Sequence, residues 1–503
     1  MWLANLLHRH RFQDGDRVAV IDDRLSFTFG ELAARTDALA AALRAQGVQR
    51  GDHLLLVSQN RAEMIESYVA LARVGAVAVP INYGLLAPEV EHIVSLTRAV
   101  GALGERQLLD RAVASAAVSF TWDFDGSEYR QAVTSGRDFT VPDISLNDSV
   151  AVLCTSATTG LPKGVVLTHR AFQHQALSWL ATTGHGRDTV YLAAPPLFHS
   201  TVTVPLAYLS VGATIVLLRA FRPQVCLDAI ATHGVTHAYL VPSMIGYVLR
   251  ARSLSHADLS SLKEVFHGAA PMSIEQRVLA ARQLGCALRD CYGQAEAGGP
   301  VTLGEPLRDD VSENDEASWQ SAGRPLLGFE VRAIDESGNI LAPGRMGQIC
   351  VRSQATMRGY WRDDNATSRA LRHGWLLTGD LGTVDPNGEL RIIDRLTDMI
   401  IRAGQNVYPA EIERVLRLHP QVEDVAVVGV PDDALGEEAV ACVVTPDGVS
   451  PKPEEVLAFT VDHLAPYKRP RSVTIISDIP RNPAGKVLKR VLREQLRALQ
   501  KAT

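Results

Sequence analysis

No apolar run in this chain approaches the ~18 residues a helix needs to cross a bilayer, so a membrane span is not expected. The opening Met1-Trp-Leu-Ala-Asn-Leu-Leu-His8 lacks a basic region followed by a long apolar core, so an export signal is not expected either. Cysteine is sparse. Cys154, Cys226, Cys286, Cys291, Cys350 and Cys442 show no CxxC and no Cys/His ligand spacing, and most lie in apolar stretches, as buried thiols in a reducing cytoplasm would. Positive charge is not in excess: 50 Lys+Arg face 56 Asp+Glu, a formal net charge of −6, which argues against a protein that neutralises a nucleic-acid backbone. A Walker A loop is also missing, because the one lysine in a glycine- and hydroxyl-rich turn, Lys163, is preceded by Pro162 and followed by Gly164 rather than by Ser or Thr.

What is present is enough apolar material, 46% of 503 residues, for two or more domains. Short β-branched runs (Val18 to Ile21, His53 to Val57, Ala76 to Ile81, Thr189 to Ala194, Ala213 to Leu218, His237 to Val241) alternate with Ala/Leu-rich segments such as Glu31 to Gln46 and Arg61 to Val74. That alternation predicts a large α/β body reaching to about residue 390. Residues 301 to 322 are acidic and poorly periodic, and read as a surface connection. Beyond Leu390 the texture changes to a small α+β unit, with strands expected over Val422 to Val430 and Ala439 to Thr445 and helices over Pro409 to Leu418 and Glu454 to Leu464. The boundary is placed at a hinge near 394–398, giving domains 1–394 and 395–503.

The densest chemistry lies in Thr155-Ser156-Ala157-Thr158-Thr159-Gly160-Leu161-Pro162-Lys163-Gly164, between runs that read as buried strands, Ala151 to Cys154 and Val165 to Leu167. Backbone N–H groups in such a turn converge on anionic oxygens, the hydroxyls add donors, and Lys163 adds a point charge. A plain surface turn needs one or two such residues, not four hydroxyls, two glycines and a lysine. The segment is read as a phosphate-binding loop.

Further along come Gly268-Ala269-Ala270-Pro271, Asp290-Cys291-Tyr292-Gly293-Gln294-Ala295-Glu296, Thr378-Gly379-Asp380, Asp394-Arg395 and Pro483-Ala484-Gly485-Lys486. In this order, from about Phe27 to Arg490, the set resembles the acyl-adenylate-forming superfamily of acyl-CoA synthetases, luciferases and peptide-synthetase adenylation domains. The resemblance implies a large multi-subdomain N-terminal body with a small mobile C-terminal domain. It also implies a two-step reaction in which ATP and a carboxylic acid give acyl-AMP, and the thiol of coenzyme A then displaces AMP, with Mg2+ assisting.

Residue by residue, the resemblance implies that Lys486 bridges substrate carboxylate and phosphate and that Glu296 holds Mg2+. It implies that Asp380 accepts from the ribose hydroxyls with Arg395 beside it, that Gly268 to Pro271 and Tyr292 wall the adenine, and that Asp290, Gly293 and Gln294 belong to the same nucleotide site. His199, in Pro196-Leu197-Phe198-His199, matches a gate between the acyl pocket and the thiol entry. Arg402-Ala403-Gly404-Gln405-Asn406 matches the pantetheine tunnel, and Lys468 and Arg469 are placed to reach coenzyme A phosphates.

Three positions depart from the family pattern: Ala157 stands where the phosphate loop usually has glycine, Ala295 where threonine usually stands directly before the glutamate, and Thr397 at a hinge position that is commonly lysine or aspartate. A missing hydroxyl at 295 removes a donor worth about 1.5–3 kcal/mol against a charged group. The expected activity is acyl-CoA ligation, with four alternatives kept beside it. These are a thioesterification-only enzyme taking preformed acyl-AMP, a ligase loading a separate carrier protein (no GG-x-S carrier segment lies in this chain), a nucleotide sensor that has lost catalysis, and a luciferase-like oxygenase using the same adenylate, which the tunnel segment around Gly404 disfavours.

Overall fold

The computed structural model describes residues 2–113, 118–155, 162–270, 272, 274–308, 321–432, 434–446, 448–481 and 487–502. They divide into two compact units, Met1–Glu330 with Val351–Leu377, and Val331–Cys350 with Thr378–Thr503.

The first unit is built on two sheets. In one, His53–Val57 lies between the parallel strands Val77–Pro80 and Gly101–Gly104, and all three are buried throughout. Continuous apolar runs of this kind are what a strand covered on both faces requires. Beyond Val77–Pro80 the same sheet continues through Ser149–Thr155 to its antiparallel partner Lys163–Thr168 and the short strand Gly359–Tyr360. The other sheet carries parallel strands Thr214–Leu217, Val190–Ala193, His237–Tyr239, Glu264–Gly268 and Ala287–Gln294 side by side, followed by antiparallel Gly299–Leu303.

Helix Phe29–Ala45 shows how local sequence sets the layering. Thr28 accepts from the Glu31 amide at 3.2 Å while Glu31 accepts from the Thr28 amide at 2.8 Å, a reciprocal cap that fixes the helix start. Helix Ala62–Val74 ends at Gly75, whose left-handed φ of 82° suits glycine.

In the second unit, Asp424–Asp432 pairs antiparallel with Gly436–Val444 over nine residues, and Ser472–Ile475 adds on in parallel. Helix Pro409–Arg417, started by a proline whose missing N–H costs nothing at that position, packs Ile412 and Leu416 against Val425, Val427 and Val443.

Two expected segments differ from what is found. Val301–Leu303, read as surface connection, completes the strand Gly299–Leu303, which is buried along its whole length. The apolar signal there is only Val301 and Leu303 on one side of a polar run, too short to register as a strand. The helix expected over Glu454 to Leu464 ends at Phe459, where the Thr460 hydroxyl turns back to donate to the Leu457 carbonyl at 2.7 Å. No helix among the described residues is long and apolar enough to cross a membrane.

Candidate active site

In the first unit the phosphate-loop reading falls on the connection of a β-hairpin. Thr155 closes one strand and pairs with Lys163, which opens the next, and Cys154 pairs with Gly164. Ser156, Ala157, Thr158, Thr159 and Gly160 lie outside the described residues, as do Pro271 and Lys486. A Cβ on Gly164 would lie 2.6 Å from Val152 Cγ1, so the hairpin closes that tightly only with glycine there.

Lys163 is met by a residue that the sequence motifs did not single out. Strand Gly359–Tyr360 pairs with Lys163–Thr168 so that Tyr360 lies opposite Val165, and the Trp361 amide donates to the Gly164 carbonyl at 2.7 Å. This register sets the Tyr360 ring 5.0 Å from Lys163 Nζ, a cation over a ring face. The Tyr360 hydroxyl donates to Glu296 Oε1 at 3.0 Å, and the Glu296 carbonyl accepts from the Met357 amide at 2.8 Å. Burial, then the neighbouring Glu296 carboxylate, hold the Tyr360 phenol well above its ordinary range, so it stays a donor. A two-residue strand is too short for periodicity to flag. The visible signal was the Gly359-Tyr360-Trp361 triplet within a polar stretch.

The described residues expected to wall the adenine sit at the carboxyl edge of the parallel strands, the edge at which open α/β sheets bind ligands. Gly268 ends the strand Glu264–Gly268, and a Cβ there would lie 2.0 Å from the Cys291 carbonyl oxygen and 2.6 Å from the Tyr239 hydroxyl. Ala269 follows at φ 69°, a left-handed conformation that costs a non-glycine residue about 1 kcal/mol or more. Tyr292, Gly293 and Gln294 finish the adjacent strand, and a Cβ on Gly293 would come 2.2 Å from the Gly299 carbonyl oxygen. Asp290 is engaged within the protein: Arg277 Nη2 donates to its Oδ2 at 2.5 Å, with His267 Nδ1 3.9 Å from Oδ1. Ala295 opens the single turn that carries Glu296.

His199 follows Phe198, with ring centroids 4.5 Å apart, and Phe198 meets Tyr83 edge-on at 5.4 Å. Its Nε2 is enclosed without a hydrogen-bond partner, and burial pushes the imidazole down to about 4. A neutral ring is therefore what this apolar corner holds near pH 7. Val202 and Val204, a few residues on, are fully packed.

In the second unit, Asp380 and Arg395 are cross-strand partners, and Arg395 Nε lies 3.2 Å from Asp380 Oδ1. Asp380 is 3% exposed. The preceding residues explain how it is aimed: the Thr378 hydroxyl donates to the Ile349 carbonyl at 2.7 Å and accepts from the Asp380 amide at 3.1 Å, while Gly379 turns at φ 77°. Asp394 is anchored in turn, its two oxygens accepting from the Arg395 and Ala410 amides at 2.7 and 3.0 Å, and Thr397 lies exposed in the turn that follows.

Gly404 sits at the tip of the hairpin formed by Ile400–Arg402 and Gln405–Val407. Ala403 (φ 50°) and Gly404 (φ 77°) are its two central residues, both left-handed, as a two-residue hairpin turn demands, so Gly404 is required by the turn as well as by any narrow passage. Gln405 and Asn406 are exposed beside it. Arg402, which opens the segment matched to the tunnel, ties this hairpin down: its Nη1 donates to the Tyr467 and Arg469 carbonyls at 3.0 and 3.3 Å and its Nη2 to Glu438 at 3.0 Å. Lys468 Nζ pairs with Glu411 at 2.8 Å, and Arg469 donates to the Leu464 and Val461 carbonyls at 2.9 and 2.8 Å.

The chain matches the AMP-binding enzyme family over residues 7–361 and its C-terminal domain over residues 411–486. It is 36% identical over 474 residues to a feruloyl-CoA synthase of Amycolatopsis sp, covering 93% of this chain and 94% of that protein. It is 33% identical over 492 residues to the fatty acid–[acyl-carrier-protein] ligase ScoC of Streptomyces coeruleorubidus, covering 95% and 93%. Its fold is similar to the crystal structure of ATP-bound MatB from Rhodopseudomonas palustris, with a TM-score of 0.89, 29% identity and 99% of each chain covered. A family match through the body that resumes in the small domain, joined to relatives aligned from end to end, makes this chain a member of the AMP-binding enzyme family, the acyl-adenylate-forming enzymes.

Proposed function

We propose that this chain is an AMP-forming acid–thiol ligase that joins a carboxylic acid to coenzyme A through an acyl-adenylate. The observation that carries the reading is the convergence of Lys163, Tyr360 and Glu296 beside the loop 156–162, which sets a cation and an oriented carboxylate where a polyphosphate is expected. With Oε1 of Glu296 held by Tyr360, Oε2 remains to face a hard, oxygen-seeking cation, which fits Mg2+. Mg2+ held there would neutralise charge on the phosphate oxygens.

In the first step a carboxylate oxygen bonds to the α-phosphorus of ATP and the bond to pyrophosphate breaks. Thr155, Ser156, Thr158, Thr159, Gly160 and Lys163 hold the departing phosphates, and Lys486 bridges the reacting carboxylate and phosphate. Gly268, Ala269, Ala270, Pro271, Tyr292, Gly293 and Gln294 frame the adenine. Asp380, held by Arg395, accepts from the ribose hydroxyls. In the second step the thiol sulfur bonds to the acyl carbon, AMP leaves, and the thiol proton passes to solvent. His199 stays neutral beside the acyl group, and Gly404, Gln405, Asn406, Lys468 and Arg469 face coenzyme A. The small domain, 395–503, pivots near 394–398, a placement supported by the anchored Asp394 and the exposed turn after it.

A second reading rests on Ala157 and Ala295, which thin the phosphate-facing donors: the enzyme is slow at adenylation and takes preformed acyl-AMP efficiently. Similarity to a carrier-protein ligase supports a pantetheine thiol on a separate carrier as a further acceptor. The test presents aryl, fatty and polycyclic acids with ATP and Mg2+, with coenzyme A or a holo-carrier protein as acceptor, and follows thioester mass. Thioester on coenzyme A from at least one acid supports the reading. Pyrophosphate release with no thioester on any acceptor contradicts it.

A further inference from the structure

At the opposite edge of the parallel sheet, three ligand-type side chains meet that the adenylation site does not use. His237 opens the strand His237–Tyr239, Glu264 opens the neighbouring strand Glu264–Gly268, and the two are register partners. His185 comes from the loop after helix His169–Thr183. One ligand atom from each lies within 4.8 Å of the other two. The nucleotide turn begins at Gly268, four residues along the strand from Glu264, or about 13 Å at strand rise.

We propose that His185, His237 and Glu264 form a binding site for a divalent transition-metal ion, zinc by the chemistry of its donors, that clamps the amino-terminal edge of this sheet. Two imidazoles and one carboxylate are a familiar three-protein-ligand zinc set, with a water completing the tetrahedron. His185 Nε2 and Glu264 Oε2 are 3.3 Å apart, against the spacing of about 3.4 Å that two donors take around a tetrahedral zinc.

The outer contacts orient both rings. His185 Nδ1 lies 2.9 Å from the Tyr208 hydroxyl, which leaves Nε2 toward Glu264. His237 Nδ1 lies 2.8 Å from the Thr236 hydroxyl, and that hydroxyl reaches the Val190 carbonyl at 3.1 Å, so the Thr236 proton goes to Val190 and Nδ1–H of His237 donates to Thr236. Nε2 of His237 then carries the lone pair. Partners on the non-ligating nitrogen are how proteins fix the tautomer of a metal-binding histidine.

An ion pair of His185 with Glu264 needs only one histidine. It does not explain a second imidazole whose ring centroid lies 4.0 Å from the first. Arg289 Nη1 lies 3.5 Å from the other carboxylate oxygen, Oε1, which leaves Oε2 on the histidine side.

The experiment uses the full chain, stripped with EDTA and titrated with zinc chloride against a chromophoric chelator, with Mg2+ in excess to occupy carboxylate sites. One zinc per chain is expected, with the thermal midpoint raised by about 3 °C or more at saturating zinc and a tetrahedral cobalt absorption band on substitution with Co2+. His237→Gln and Glu264→Gln should lose the zinc and the cobalt band. His185→Asn, at a partly exposed ring that tolerates change, should do the same while keeping wild-type circular dichroism and acyl-CoA synthesis. Wild-type protein that takes up no zinc, or a folded His185→Asn variant that takes up as much as wild type, overturns the site. Neither result bears on the ligase reading, which is scored separately by thioester formation.

Discussion

The Tyr360 hydroxyl donates to Glu296 Oε1 at 3.0 Å while the Tyr360 ring lies 5.0 Å from Lys163 Nζ, so one aromatic residue joins the lysine proposed to meet phosphate to the carboxylate proposed to hold Mg2+. Both contacts follow from register, because Gly359–Tyr360 is the last strand of its sheet and pairs with the strand that Lys163 begins.

Tyr360→Phe keeps the ring over Lys163 and removes only the hydrogen bond to Glu296. A bond to a charged group is worth about 1.5–3 kcal/mol, so kcat/KM for ATP–pyrophosphate exchange should fall roughly tenfold to a hundredfold, with a higher Mg2+ requirement. Exchange unchanged across a Mg2+ titration would show that Tyr360 only packs.

Ala295→Thr restores a hydroxyl next to Glu296. Adenylation should rise about tenfold, while thioester formation from synthetic acyl-AMP stays as it was. A rise in both half-reactions, or in neither, would mean that position 295 does not face the α-phosphate.

Asp380 is buried and paired with Arg395, so its two oxygens are held in place before nucleotide arrives. Asp380→Ala should raise KM for ATP and lower kcat/KM at least tenfold, with Asp380→Asn intermediate because it keeps one acceptor oxygen. Equal KM values in the three proteins would remove Asp380 from the ribose site.

His53, His169, His199, His237 and His267 are each held near 4 by burial, against about 6.5 when unfolded. Between those values the unfolded chain binds more protons than the folded one. Stability is therefore full above about pH 6.5 and falls as pH drops toward 4, each group contributing about 1.4 kcal/mol per pH unit in that window. Urea midpoints at about pH 7.5, 6 and 5 should decline in that order. A flat profile would mean that the rings protonate without cost in the folded state.

The layered α/β body was legible because its central strands, such as His53–Val57 and Val77–Pro80, are buried throughout and so read as mostly apolar runs. The local geometry of Thr378-Gly379-Asp380 was legible because a hydroxyl, a positive-φ glycine and a carboxylate act within three residues. Tyr360 and Arg402 were not. Their roles depend on which strand pairs with which, and a two-residue strand or a guanidinium reaching the carbonyls of 467 and 469 leaves no periodic trace. The strand Gly299–Leu303 escaped for the related reason that an acidic stretch follows it at once.

The central claim is that an acyl-adenylate lies on the route to the thioester. Supplying a carboxylic acid labelled with heavy oxygen, together with ATP, Mg2+ and coenzyme A, and weighing the products tests it directly. Attack of the carboxylate on the α-phosphorus predicts one labelled oxygen in the AMP released, in step with acyl-CoA formed. Unlabelled AMP, or label carried into inorganic phosphate with release of ADP, would contradict it.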